Sequence, residues 1–387
     1  MTATVSKWLP AAAGTEEHFI IAKPDGHGSF ARQVDQTFDL YQTALADLGL
    51  DAASAVTATV FLSDSANQES ELRQHPAFLR LAAGGGAVTV IQQPPADAKL
   101  GLLVYHAPRP QGGSRRSLTS VAGAAATAAG LVVTAGDYEF SYLRNLLSSG
   151  QGDAGMQTDD LLGTPGCGAQ SNGTALAQVV RTWLYINNID TNYAPISTAR
   201  NALFERFGID EHSGFPASTG IEGRSADHRD LLLLDVLAIK GLQPGQSQGM
   251  EVTTHMNSTV EYGVTFERGR AVTFGDRRHL YISGTASIDN KGQILHPGDV
   301  GRQTERAVEN VGALLAASDA ALTDMRYLLV YLRDSVDADA VEAVIAASPL
   351  ATVPRIIVRA PVCRPGWLVE IEGVAIDGKG DPRFAPF

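Results

Sequence analysis

Hydrophobic and polar positions repeat along this chain with two periods, and the clearest stretch lies near the C-terminal end. Leu280 to Ala286 is a short apolar run closing on Ser-Gly-Thr, and Leu368 to Ala375 alternates apolar with acidic residues, so both are read as strands. Between them Val300, Thr304, Ala307, Val308, Val311, Leu314 and Leu315 fall at helical spacing within Asp299 to Ala317, and Met325 to Leu332 is a further strand run. The pattern predicts strand, helix, strand, helix, strand.

The same unit recurs. Gln33 precedes Phe61 by 28 residues, Gln157 precedes Tyr185 by 28 and Gln303 precedes Tyr331 by 28, and each aromatic stands in a similar strand: Thr59-Val-Phe-Leu-Ser-Asp64, Trp183-Leu-Tyr-Ile-Asn-Asn188 and Val330-Tyr-Leu-Arg-Asp334. Three copies are the simplest account, over about residues 18–107, 118–240 and 253–377. In the first, Gln33 to Leu48 is an amphipathic helix with Val34, Phe38, Tyr41, Ala44 and Leu48 on one face, and Ala87 to Ile91 and Leu100 to Tyr105 are its closing strands. In the second, Leu131 to Ala135 is an early strand and Leu231 to Ile239 the last. Its first helix is interrupted by Gly163, Pro165, Gly166, Gly168 and Gly173, which predicts a short helix followed by a glycine-rich loop. Pro108 to Ser114 and Gly241 to Met250 are linkers by composition.

Composition bounds the function. A chain of 387 residues with 44% hydrophobic content can bury two or three cores. A net charge of −12 argues against nucleic acid, whose binding needs a basic face. Only Cys167 and Cys363 are present, which fits a reducing compartment. No stretch reaches the apolar length of a membrane span, and Met1 to Glu17 lacks a signal-peptide core, so a cytoplasmic location is expected. The nine histidines show no ligand spacing, so no metal or other cofactor is expected. The Gly84-Gly-Gly86 run lacks the Lys-Ser/Thr of a phosphate cradle and reads as a loop.

The order of elements, with Tyr281-Ile-Ser-Gly-Thr-Ala286 on an early strand, Pro354-Arg355 opening the penultimate strand and Val369-Glu-Ile-Glu372 on the last, resembles the reactive-intermediate deaminase (Rid) superfamily. The resemblance implies an α+β fold of three Rid/chorismate-mutase-like units, each a mixed sheet with two helices on one face. Rid proteins assemble as trimers with active sites between neighbours, so it also implies a covalent pseudo-trimer, monomeric or weakly dimeric. In the family pattern an arginine after that proline grips a substrate carboxylate, and the first glutamate of the last strand moves a proton. These fall on Arg355 and Glu370, fifteen residues apart. The second copy offers Ser218 and Leu233 at the two positions and the first offers Leu102 with no Pro-Arg, so one working site per chain is expected, in the third copy. Ser283, Gly284 and Thr285 would line the pocket, and Tyr262 matches a tyrosine near the start of Rid units. Arg224 of the second copy joins the substrate-binding candidates.

Each candidate has a plainer reading. Alternation along Val369-Glu-Ile-Glu372 puts both acids on one face, where they could simply be solvated. Arg355 could be a surface arginine, Gly284 a strand bulge, Tyr262 core packing and Cys363 a small buried hydrophobe.

Arg181-Thr-Trp-Leu-Tyr185, Pro216-Ala-Ser-Thr-Gly-Ile221 and Arg364-Pro-Gly-Trp-Leu-Val-Glu-Ile-Glu-Gly373 also resemble the chorismatases, which share the architecture. There a glycine in Ser-Gly-Thr and a cysteine seven before the glutamate look like the hydroxybenzoate-forming type, and Gly284 and Cys363 match both. Arg355 is a departure, since chorismatases do not need it. The implied chemistry is acid–base catalysis on a small carboxylate-bearing enamine, imine or enol ether in specialised metabolism. The alternatives are a chorismatase giving a hydroxybenzoate and pyruvate, a biosynthetic cyclase, and a binder that turns nothing over.

Overall fold

The computed structural model describes all residues except 1–2, 12–13, 109–112, 119–128, 151, 165–167 and 260–262. The first sheet holds β1 (Thr4–Trp8), β2 (Glu17–Ala22), β3 (Ala55–Leu62), β4 (Ala87–Gln92) and β5 (Leu100–His106), in the order β1-β2-β5-β3-β4. Helices α1 (Phe30–Leu48), α2 (Ser65–Gln74) and α3 (Pro76–Ala83) belong to this unit. The second sheet holds β6 (Gly113–Leu118), β7 (Ala129–Ala135), β8 (Tyr138–Leu147), β9 (Val179–Ile186), β10 (Ala217–Glu222) and β11 (Leu232–Lys240), with α4 (Ala154–Thr158) and α5 (Ile189–Arg206). The third holds β12 (Ser247–Met250), β13 (Gly269–Thr273), β14 (Arg278–Ala286), β15 (Met325–Leu332), β16 (Arg355–Arg359) and β17 (Val369–Asp377), with α6 (Val300–Ala317) and α7 (Ala338–Ala346). In each sheet the penultimate strand runs parallel to its neighbour, β4 to β3, β10 to β9 and β16 to β15, while the last strand pairs antiparallel. This is the α+β repeat expected, arranged as an intrachain pseudo-trimer.

The repeated glutamines explain the spacing of 28. Gln33 accepts the backbone N–H of Lys99 at 2.8 Å, Gln157 that of Leu231 at 2.8 Å and Gln303 that of Leu368 at 2.8 Å. Each side chain thus ties its helix to the start of the closing strand, satisfying a buried donor that the sheet cannot. The aromatics 28 residues on, Phe61, Tyr185 and Tyr331, are buried on the central strands. The second copy's glycine-rich stretch does end its helix early: α4 stops at Thr158 and a loosened turn follows over Asp159–Gly163. Two stretches that composition marks as linkers are partly strand, since β6 and β12 lie on sheet edges paired with β7 and β13. Backbone ladder bonds do not require an apolar pattern, which is why Gly113–Leu118 escapes a reading by hydrophobicity.

The inner faces of the sheets merge into one core, with Phe19 and Tyr105 from the first, Tyr142 and Tyr185 from the second and Tyr281 and Tyr327 from the third. Single β-bridges cross between each pair of units: Gln92 to Arg224, Ile221 to Val362 and Pro95 to Val358. A buried carboxylate also sits at each junction. Between the first and second units, Asp235 accepts from Arg144 at 2.7 Å, from Thr89 and from the backbone of Asn145 at 2.8 Å. Between the first and third, Glu17 accepts from Arg277 at 2.6 Å, meets His279 Nε2 at 2.9 Å and accepts from Tyr105 at 2.7 Å. Between the second and third stands Glu372, described below.

Breaking one partner of such a pair leaves a buried charge without compensation. Asp235→Ala is therefore expected to lower unfolding free energy by about 3–5 kcal/mol. Chemical denaturation checks this, and an unchanged midpoint would contradict the role given to Asp235.

Candidate active site

Glu370 and Glu372 project from one face of β17 because side chains alternate along a strand. Opposite Glu370 on β15 stands Tyr331. On the other side β14 bulges between Ile282 and Thr285, and Gly284 lies in the bulge. A Cβ there would overlap the Glu370 carboxylate oxygen and come within 3.1 Å of Thr219 Cγ2, so only glycine leaves room for the acid. Gly284 lies in the bulge and also forms part of the cavity wall described next.

That cavity, about 370 Å³, lies between the second and third units. Tyr193, Arg200, Ser218 and Thr219 come to it from the second, and Arg268, Gly284, Cys363 and Glu370 from the third. The Glu370 carboxyl is pushed up to about 8, first by burial and then by the charge of Glu372, against the opposing pull of Arg268 and Arg181. Glu372 contrasts with it. It accepts from Arg181 Nη2 at 2.6 Å, Trp183 Nε1 at 2.8 Å, Tyr331 OH at 3.0 Å and the Thr219 hydroxyl. One acid is held by donors on every side, while the other faces the open cavity.

Arg200 is the second unusual group. It is buried on α5, donates to Ser218 Oγ at 3.3 Å, and pairs with no carboxylate among the described residues. Its Nε has no hydrogen-bond partner, and burial pulls its pKa below the usual arginine range. Arg200 and Arg268 both approach the Phe266 ring, with guanidinium carbons 5.9 and 5.8 Å from its centroid. Arg200 thus brings to the cavity wall a buried guanidinium with no carboxylate partner among the described residues.

The expected clamp is elsewhere. Each penultimate strand faces the following unit, so the partner of Glu370 comes from β10 of the second unit and not from β16 of its own. Strand pairing makes Ser218 the counterpart of Arg355, because Ser218 stands beside Thr182 on β9 as Arg355 stands beside Leu328 on β15. Arg355 lines a different cleft, shared with Lys23 and Asp97 of the first unit. There it grips Glu342 and the carbonyls of Ala351 and Val353 at 3.1 and 3.2 Å, fastening α7 to the loop before β16. The counterpart of Glu370 in the first unit also moves by one residue: Gly101, not Leu102, stands opposite Phe61.

Of the remaining candidates, Gly284 and Cys363 are on the cavity. Ser283 and Thr285 are behind its wall: Ser283 Oγ donates to Glu267 O at 2.5 Å and accepts from Ser218 N at 2.9 Å, and Thr285 Oγ1 donates to Ser283 O at 2.9 Å. The bulge turns them away. Arg224 is exposed in a separate polar cleft with Glu222 and Arg359. Tyr262 and Cys167 lie outside the described residues. The Cys363 thiol is pushed up to about 12, mainly by burial and next by Glu370, and is hydrogen-bonded to Tyr193. It therefore stays protonated at neutral pH. Sequence reasoning missed Arg200 and Tyr193. A signal for Arg200 was present, since it shares the buried face of α5 with Ile196 and Leu203.

A buried acid and several arginines thus line one cavity between two copies of the unit. The chain resembles known proteins as follows. The profile of the family described as endoribonuclease L-PSP matches residues 269–377. The chain is 30% identical to the 3-aminoacrylate deaminase RutC of Acinetobacter baylyi, over 25% of this chain and 77% of that protein. It is 28% identical to a chorismatase of Streptomyces hygroscopicus, over 51% of this chain and 61% of that protein. A 3-hydroxybenzoate synthase of the same organism is also 28% identical, over 52% of this chain and 64% of that protein. The chain thus spans under two thirds of the length of those two relatives. A crystal structure of a chorismatase at 22% identity covers 94% of this chain and 100% of its own, with a TM-score of 0.62, which shows a shared fold. The chain belongs to the Rid (L-PSP) family.

Gly284→Ala is expected to expel the Glu370 carboxylate from its position. A crystal structure of the variant reads this directly, and an unmoved Glu370 would contradict the packing argument.

Proposed function

We propose that this chain is an enzyme that cleaves the enol ether of chorismate, releasing pyruvate and a hydroxybenzoate. The observation that carries the reading is a neutral carboxyl, Glu370, on a cavity to which three arginines also come: Arg200, Arg268 and Arg364. One small enamine carboxylate needs one clamp, whereas chorismate carries two carboxylates, and several guanidiniums suit a dianion. The likeness to a chorismatase and to a 3-hydroxybenzoate synthase supports the same substrate, and Gly284 with Cys363 supports the hydroxybenzoate outcome.

In this scheme Glu370 gives its proton to the methylene carbon of the enolpyruvyl group. The double-bond electrons form the new C–H bond, and the ether oxygen shares the positive charge that results. Water adds to the cationic carbon and one of its protons returns to Glu370; the ether C–O bond then breaks, its electron pair leaving with the ring oxygen, which takes the second water proton as the hemiketal hydroxyl becomes the carbonyl of pyruvate. Loss of water from the ring then makes it aromatic, so overall no water is consumed. Arg200 holds a carboxylate and fixes the methylene over the acid. The raised pKa of Glu370 is what lets it act as an acid near neutral pH.

Incubation with chorismate should yield pyruvate, read by coupled reduction to lactate, together with a hydroxybenzoate on chromatography. Glu370→Gln should lower turnover by roughly 10²–10⁴-fold. Because Glu370 works only while protonated, kcat/KM should be level at lower pH and fall above about 8. Ammonia release from enamine substrates, with chorismate untouched, would assign the deaminase reading instead.

On this reading the two arginines have different roles. Arg200→Met should weaken substrate binding by roughly 10- to 150-fold, the worth of a charged hydrogen bond. Arg355→Ala should leave KM within about twofold, because Arg355 is engaged with Glu342 in another cleft. A KM that responds to Arg355 and ignores Arg200 would reverse this assignment.

A further inference from the structure

A site built to bind a dianion has an electrostatic conflict. Guanidiniums that attract carboxylates also favour the ionised form of any carboxyl beside them, and an ionised Glu370 has no proton to give. The groups facing Glu370 make the conflict concrete. Arg181 comes from β9, Arg200 and Tyr193 from α5, Arg268 from the stretch before β13, and Cys363 and Arg364 from the loop between β16 and β17. Tyr331 stands opposite on β15. Among the described residues, the acidic group that acts on it is Glu372, on the same face of the same strand.

Glu372 is placed as a fixed charge would have to be. It is buried, and four donors from two units surround it: Arg181, Trp183 and Thr219 from the second, Tyr331 from the third. All four are donors, so Glu372 serves as acceptor throughout. Arg144 and Arg181 both pack against Trp183, each guanidinium carbon 4.8 Å from its ring centroid. Thr219, which donates to Glu372, also accepts the backbone N–H of Gly284 at 2.9 Å, so the same network holds the bulge that makes room for Glu370. Glu372 is not among the residues that line the cavity.

We infer that Glu372 is a positioning residue for Glu370: its negative charge, held across the unit boundary, keeps the acid in its proton-donating form despite the arginines that bind substrate. The inference rests on the acid role given to Glu370 above. It assigns to a residue two positions along the strand, outside the cavity, the task of reconciling anion binding with proton donation. Burial alone opposes ionisation of Glu370, and Glu372 is the next largest influence in the same direction.

The test uses the full chain without substrate. With glutamate side chains labelled at the carboxyl carbon, the Glu370 resonance is assigned by its loss in Glu370→Gln, and its titration midpoint is read in Glu372→Gln. The midpoint should fall by roughly one pH unit or more, the size expected on losing one close like charge. In chorismate turnover the alkaline limb should move down by the same amount, with activity at low pH largely retained. Trp183→Phe removes one donor but leaves the charge, and its midpoint should stay near the wild-type value. If Glu372→Gln does not fold, Arg181→Met/Glu372→Leu removes the pair together, and the midpoint should still fall, by less. An unchanged midpoint in a folded Glu372 variant overturns the inference, as does an equal fall in Trp183→Phe, which would mark a packing effect. A midpoint that falls in a protein that makes no pyruvate would sink the proposed function and leave the electrostatic role of Glu372 standing.

Discussion

The buried contact between Arg181 and Glu372 is the constraint on which the site depends. A guanidinium 2% exposed and a carboxylate 1% exposed meet at 2.6 Å across a boundary between two units. Removing either from water is costly, and the cost is offset only by close geometry and by hydrogen bonds to the remaining lone pairs. Trp183, Thr219 and Tyr331 supply those bonds. The pair therefore fixes more than a distance. Arg181 stands on β9 and Glu372 on β17, and Thr219 of β10, which bonds Glu372, also accepts the backbone N–H of Gly284 on β14, so the network ties the two units together beside the cavity that Glu370 lines.

The three unit boundaries show how one geometry came to three outcomes. Between the first and second units the same positions carry Thr89 and Asp235, but Leu233 stands where Glu370 would, and Asn145 fills the bulge with a side chain that accepts from Val90 N at 3.3 Å. Between the third and first units Arg355 persists, yet the acid's place is held by Gly101, packed against Ile356. The middle boundary alone unites a bulge glycine, a cavity-facing acid and a buried arginine. A covalent trimer permits this division, because each copy can change independently once the three are one chain.

The proposed chemistry makes two opposed demands on one small volume. Anion binding asks for positive charge, and proton donation asks that a carboxyl resist it. Burial of Glu370 and the fixed charge of Glu372 act in one direction, Arg268 and Arg181 in the other, and the acid rests at about 8. A fully solvated glutamate at this position could not hold its proton at neutral pH.

What the sequence by itself determined was local. Helical and strand periods located α1, α6, β14, β15 and β17 to within a few residues. The spacing of 28 between a glutamine and an aromatic reported a hydrogen bond repeated in each copy, and alternation put Glu370 and Glu372 on one face. Tertiary structure decided who faces whom. Arg355 and Glu370 are near in sequence and belong to one copy, yet the strand carrying Arg355 turns toward the first unit, so the two occupy different clefts. Arg200, far from either in sequence, is delivered to the acid by the neighbouring unit. Periodicity is set by each residue's own backbone and its near neighbours, whereas the partner across a boundary is set by how three sheets close around a common core, and no local pattern carries that information.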